Sequence, residues 1–249
     1  MAKLNGILKI EGTLQDMTFY KTQDGHLVKT KSGVSGDRIA NDPAFARTRE
    51  NGSEFGSAAT AGKLLRDAVR TMVSTASDNR VTSRITQIMT QIKNLDTTSM
   101  RGDRTVDVGI GTPEGKALLK DLNFNDKAIL GANLYKPYAV NTSTGVISIA
   151  NLVPINDVAA PSGSTHVSFK GAFAIVDFAA GTSEVGYTNV ENLPIDGTST
   201  SVTLTPASVP SGTGIKLFLL QVEFFQEVNA VQYSLNNGAY NGLAIIEVV

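Results

Sequence analysis

The stretch His166-Val167-Ser168-Phe169-Lys170-Gly171-Ala172-Phe173-Ala174-Ile175-Val176-Asp177-Phe178 decides the fold. Apolar and β-branched residues crowd it, no proline interrupts it, and Pro161-Ser162-Gly163-Ser164 stands before it as a turn, so it predicts a strand. Five other runs after Gly145 share the texture: residues 146–149, 202–205, 215–227, 231–235 and 243–249. Asp196-Gly197, Pro210-Ser211-Gly212 and Asn236-Asn237-Gly238 supply turns between them. Short strands at this spacing, with no helical pattern between them, predict an antiparallel, immunoglobulin-like β-sandwich over residues 141–249. Cysteine and tryptophan are absent, so Phe169, Phe173, Phe218, Phe224 and Phe225 are expected to fill its core.

Upstream the pattern is helical. Asn41-Asp42-Pro43 opens a helix, with Asp42 as cap and Pro43 at the first position, where its missing N–H costs nothing. Small or apolar residues then recur by threes and fours at Phe45, Thr48, Gly52, Phe55, Ala59, Gly62, Leu65, Val69, Met72 and Ala76, which predicts one long helix with that stripe inward. Gly52, Gly56 and Gly62 each cost about 1 kcal/mol relative to alanine, and close approach by a partner element is the expected compensation. Ser77-Asp78-Asn79 offers caps for a second helix, on which Val81, Ile85, Ile88, Ile92 and Leu95 form the stripe while Arg80, Arg84 and Lys93 face water or a partner. The two helices predict an αα-hairpin. Residues 96–111 read as a linker, and Thr112-Pro113-Glu114 starts a short helix.

At the start of the chain, Met17-Thr18-Phe19-Tyr20-Lys21 and Leu27-Val28-Lys29-Thr30 flank Gln23-Asp24-Gly25 as a β-hairpin, and Gly6 and Gly12 frame Ile7-Leu8-Lys9-Ile10. A lone hairpin is marginal, so it is expected to add to the later sheet. The chain is therefore read as α+β, with a hairpin and helical region over residues 1–140 and a sandwich domain over 141–249.

Composition narrows the function. With 249 residues the chain buries a core without staples, and zero cysteines exclude disulfides, thiolate zinc and a cysteine nucleophile. Net charge is −1, yet residues 1–136 carry 20 Lys/Arg against 15 Asp/Glu and residues 137–249 carry 2 against 8, so the two parts present different surfaces. The basic residues are dispersed and the aromatics near them follow no RNA-recognition pattern, so no nucleic-acid partner is expected. No apolar run approaches the ~20 residues of a membrane helix, and Lys9 and Glu11 interrupt the run that a secretory signal needs.

Candidate chemistry is sparse. His26 and His166 have no partner at a recognisable spacing, and Asp103 and Asp107 lack the dense acidic pattern of a calcium loop. Gly109-Ile110-Gly111-Thr112-Pro113-Glu114-Gly115-Lys116 departs from a phosphate loop in register and places Ala117 where the magnesium-binding hydroxyl belongs. Arg101-Gly102-Asp103 reads as a surface loop. No catalytic, cofactor-binding or metal-binding residue is assigned, no cofactor is expected, and the chain is read as non-enzymatic. The densest polar block is Arg47, Arg49, Glu50, Asn51, Ser53 and Glu54 on the first turns of the long helix. Such a block serves either as an exposed face of weak ion pairs and intramolecular contacts or as a partner surface, with Arg47, Arg49, Glu50 and Glu54 as its contacts.

The segment Asn41-Asp42-Pro43-Ala44-Phe45-Ala46-Arg47-Thr48-Arg49-Glu50-Asn51-Gly52-Ser53-Glu54-Phe55-Gly56, with Phe19-Tyr20-Lys21 and Asp24-Gly25 before it, resembles a family of Bacteroidota proteins to which the plug of the type 9 secretion translocon belongs. The match is clearest over roughly the first 70 residues. The resemblance implies a subunit that occupies the periplasmic opening of a giant outer-membrane β-barrel and keeps the channel closed, hence a periplasmic protein with a barrel partner and no membrane insertion of its own. No functional residues of the family are carried over. Two other classes fit the residues: a phage or particle structural protein, and a cytoplasmic binding module of the same family.

Overall fold

The computed structural model describes residues 2–3, 10–23, 25–30, 33–76 and 78–249. The chain divides into Met1–Arg49 and Glu50–Val249. Of the described residues 31% are helical and 35% strand, and the sheets are antiparallel, which makes this an α+β protein. Among the described residues no helix is long and apolar enough to cross a membrane.

In the first unit, β1 (Ala2–Lys3), β2 (Gly12–Leu14), β3 (Met17–Thr22) and β4 (Gly25–Thr30) form a sheet of their own in the order β1-β4-β3-β2. The expectation that these strands extend the later sheet is corrected. Leu14 faces Met17 and Phe19 faces Val28 in register, so the apolar positions of neighbouring strands find one another locally. Asp24 at the expected turn, and Ile7, Leu8 and Lys9, lie outside the described residues. A helix that the sequence did not announce, α1 (Gly36–Asn41), is capped by Ser35. Asp42 then accepts from the Ala44 N–H at 2.9 Å, and Pro43 opens a 3-10 turn that runs into α2 (Ala46–Ala68).

Within the second unit the buried residues of α2 are Glu54, Ala58, Ala61, Gly62 and Leu65. The inward stripe is therefore rotated from the expected one, and Phe55 is left 60% exposed. Small Ala58 and Ala61 permit a close approach that a phenylalanine would obstruct. The expected single helix also breaks: Val69 leaves helical geometry at φ −113° and ψ 32°, and α3 (Arg70–Val73) follows, with Met72 and Ala76 still fully buried. Helix α4 (Val81–Lys93) buries Val81, Ile85, Met89 and Ile92. Asp78 accepts from the Arg80 N–H at its start, while Ser77 lies outside the described residues. Lys93, expected to face outward, is buried.

The glycines divide by environment. A Cβ on Gly62 would lie 3.1 Å from Ile85 Cγ2, so this glycine permits the close approach expected of it, but at Gly52 and Gly56 the space is open. Residues 96–111, read as a linker, contain α5 (Val106–Ile110), and Thr112 caps α6 (Pro113–Leu119) as expected. The glycines of this region serve packing. A Cβ on Gly109 would fall 1.9 Å from the Ile92 carbonyl oxygen, and one on Gly115 would fall 2.2 Å from that of Gly109.

After α7 (Leu130–Asn133) come β5 (Ala139–Val140), β6 (Ile147–Leu152), α8 (Pro154–Asp157), β7 (His166–Asp177), β8 (Thr182–Pro194), β9 (Thr200–Leu204), β10 (Ile215–Val228), β11 (Val231–Ser234) and β12 (Gly242–Val248). Helix α8 stands where no helical segment was expected, opened by Pro154 at its first turn. Strands β5, β6 and β9 form one sheet. The larger sheet centres on β10, which pairs with β7 along one edge and, along the other, first with β12 and then with β11. Asn229 and Ala230, both at positive φ, make the two-residue turn from β10 to β11. Strand β8 closes the β7 edge.

Alternation along the central strands sends side chains into two separate clusters. Ala172, Ala174, Val176, Leu217, Leu219 and Ile245 join Leu65, Met72, Ile85, Ile92 and Phe124 from the helical region. Phe169, Phe173, Ile175, Phe218, Leu220 and Phe224 join Ile147, Ile149, Val202 and Leu204 of the smaller sheet, with Phe173 and Phe218 stacked at 4.6 Å between centroids. Phe225, expected in the core, is half-buried. Residues on both sides of position 140 thus share the helix-side core.

Candidate functional site

Glu54 stands one helical turn before Ala58 on the buried side of α2, and that position sets its chemistry. It is 2% exposed and faces Lys93, 5% exposed, at the end of α4. The loop that follows α4 returns beneath them. Glu54 Oε1 accepts from the Gly102 N–H at 2.8 Å and from Arg104 Nε at 2.7 Å, and Oε2 accepts from Arg104 Nη2 at 2.7 Å and from Lys93 Nζ. The Arg104 fork does most to hold the Glu54 carboxyl down, at about 2 against an ordinary 4.5; burial opposes it, and Lys93 and the Gly102 amide add to it.

Asp96 organises the same loop from the other end. Its Oδ1 accepts from the Thr98 N–H and hydroxyl, both at 3.0 Å, and from the Ser99 N–H at 2.9 Å, and its Oδ2 accepts from the Thr105 N–H at 3.1 Å. Burial acts against the Asp96 carboxylate, but donors from Ser99, Thr105 and Thr98 outweigh it and hold the carboxyl well below the usual range. Arg101 lies 3.5 Å from Glu50 Oε2 and donates to Asn51 Oδ1 at 3.1 Å. The segment read as a surface loop and a linker is thus a fixed return, tied within itself by Asp96 and held onto α2 by Glu54.

The four residues proposed as partner contacts separate. Glu50 and Glu54 both meet the 96–105 return, and Glu54, read as part of an exposed face, is interior. Arg49 donates to the carbonyls of Ile39 at 2.7 Å and Asp42 at 3.0 Å. Arg47 is exposed on the first turn of α2. Sequence reasoning missed Lys93, Asp96 and Arg104. The available signal was that Glu54, Ala58, Ala61 and Leu65 follow a helical spacing of four, three and four, which places a carboxylate on an otherwise buried stripe.

Arg84, expected outward, is a second inward anchor: it pairs with Asp78 at 2.7 Å and Asp126 at 2.8 Å and donates to the Phe124 carbonyl at 3.0 Å. Between α2, the start of α5 and the β7–β8 turn lies an open cleft of 520 Å³ floored by Leu64, Val106 and Phe178 and rimmed by Lys63, Asp67 and Asp107. No family model, curated protein or solved structure matches the chain.

Proposed function

We propose that the chain is a non-enzymatic plug subunit that closes the periplasmic end of a large outer-membrane translocon channel in type 9 secretion. The observation that carries the reading is the work done by the segment on which the family resemblance rests. Asp42 and Pro43 set the entry to α2, Arg49 holds two backbone carbonyls, and Glu54 anchors the 96–105 return. These residues build the scaffold, so the resemblance is one of body. A barrel lumen is polar, and a folded body with polar surfaces is what it accommodates. The saturated, ionised state of Glu54 and Asp96 favours a structural role for both over proton transfer.

In this reading the architecture is an N-terminal β-hairpin and an αα-hairpin followed by an immunoglobulin-like sandwich. The shared cluster of Ile147, Ile149, Val202 and Leu204 with the phenylalanines of β7 and β10 supports the sandwich, and the contact of Gly62 with Ile85 supports the helical pair. The partner is the barrel, and the compartment is the periplasm.

Affinity purification of the natively expressed, tagged protein from detergent-solubilised envelopes, with partners identified by mass spectrometry, tests this. A giant outer-membrane barrel is expected among them. Recovery of the protein with only copies of itself would overturn the plug reading and favour a particle role.

A further inference from the structure

We infer that the cleft between α2, the start of α5 and the β7–β8 turn binds a small ligand with an apolar body and one cationic amine. All of its lining belongs to Glu50–Val249. Three separate elements make the floor. Leu64 comes from α2, Val106 from the first turn of α5, and Phe178 follows the end of β7; Val106 is part of the helix-side core and the other two pack against it. A hollow of 520 Å³ with an apolar floor and a few polar groups at its rim has the size and character of a small-ligand pocket.

The walls are set before a ligand arrives. On the α5 side, Asp96 Oδ2 accepts from the Thr105 N–H at 3.1 Å, and the Thr105 side chain caps the helix that carries Val106 and Asp107. On the opposite side, Asp177 Oδ1 accepts from the Ala180 N–H at 2.8 Å, and the Asp177 carbonyl accepts from the Gly181 N–H at 2.9 Å. Gly181, at φ 69°, supplies the left-handed residue that closes this turn. Walls fixed in this way spare a ligand the cost of ordering them.

Charge selects the occupant. The lining holds three charged side chains: Lys63 and Asp67, four residues apart on one face of α2, and Asp107 on α5. Among the described residues none of the three has a hydrogen bond or an ion pair, whereas Glu54 and Asp96 have their oxygens taken. The adjoining arginines do not change the balance. Arg66 donates to the Gly62 carbonyl and to the Thr82 hydroxyl on the α4 side of α2, Arg104 is engaged by Glu54, and Arg70, beyond the break at Val69, does not line the cleft. Lys63 offsets one carboxylate, so the rim keeps a surplus of one negative charge. An anion meets two carboxylates against one ammonium, while a cation of charge +1 neutralises the rim as its hydrocarbon part covers Leu64, Val106 and Phe178.

Titration of the purified full chain with phenethylamine, followed by amide NMR, tests this independently of any barrel partner. Saturable shifts are expected at residues 63–67, 105–107 and 178–181. Phenylpropionate, of similar shape and opposite charge, and methylamine, with the charge but no body, are each expected to bind about tenfold more weakly or less. Asp67→Asn and Asp107→Asn, both at exposed positions, are expected to weaken phenethylamine about two- to fivefold each, and Lys63→Gln to tighten it by a similar factor, all with unchanged circular dichroism. An apolar hollow without charge selection would be indifferent to these three changes. Phenylpropionate binding as tightly as phenethylamine overturns the inference, as does an amine affinity that none of the three substitutions moves, or the absence of a saturable shift at the cleft.

Discussion

Glu54 accepts from an arginine fork, an ammonium and a backbone amide at once, and its removal strands a lysine that is 5% exposed. Breaking one side of a buried pair costs more than the pair contributes, because the remaining charge stays desolvated. Glu54→Ala is expected to lower unfolding free energy by about 3–5 kcal/mol, read from denaturant midpoints, and adding Lys93→Met is expected to restore part of the loss. Acid acts on the same group. The Glu54 carboxyl titrates at about 2 in the folded chain against an ordinary 4.5, so between those values the unfolded chain binds more protons. The stabilisation is full above the upper value and drains away as pH falls toward the lower one, and Asp96, also depressed, works in the same direction. Unfolding midpoints from neutral pH downward are expected to fall more steeply for the wild type than for Glu54→Gln.

At the scale of elements, glycines of similar appearance in the sequence do opposite things. Gly109 lies where α5 meets the end of α4, and a methyl there collides with the Ile92 carbonyl. Gly109→Ala is expected to destabilise by about 1–3 kcal/mol or more, since backbone on both sides must move. Gly52→Ala meets open space in a helix interior and is expected to stabilise the fold by about 0.5–1 kcal/mol. Thermal unfolding of the two variants separates the cases. Helix existence was legible from periodicity, as Val81, Ile85 and Ile92 show. The inward face of α2 was not, because hydrophobicity favours Phe55 over Ala58, whereas packing here favours the smaller side chain. The ion cluster was less legible still: its members lie 39 and 50 residues apart, and only the fold brings them together.

For the molecule as a whole, the strand texture after Gly145 gave the positions of β6, β7 and β9 to β12 but not what covers them. Strand β8 escaped because Ser183, Glu184, Asn189 and Asn192 give it the polar look of an edge with a wet side. The decisive signal was present in residues 172–176 and 217–220, where apolar residues run without alternation. Such runs mark strands buried on both faces. In the structure the second face of β7, β10 and β12 is covered by the helical region, so a cut at residue 140 passes through a shared core. A fragment of residues 141–249 would expose Ala172, Ala174, Val176, Leu217, Leu219 and Ile245 as one apolar sheet face, large enough to drive association. That fragment is expected to aggregate on expression, whereas residues 50–249 are expected to unfold in a single cooperative transition. Size-exclusion chromatography and calorimetry of the two fragments decide the matter. A soluble, monomeric 141–249 fragment with a cooperative melt would mean that the helices are not needed to cover the sheet.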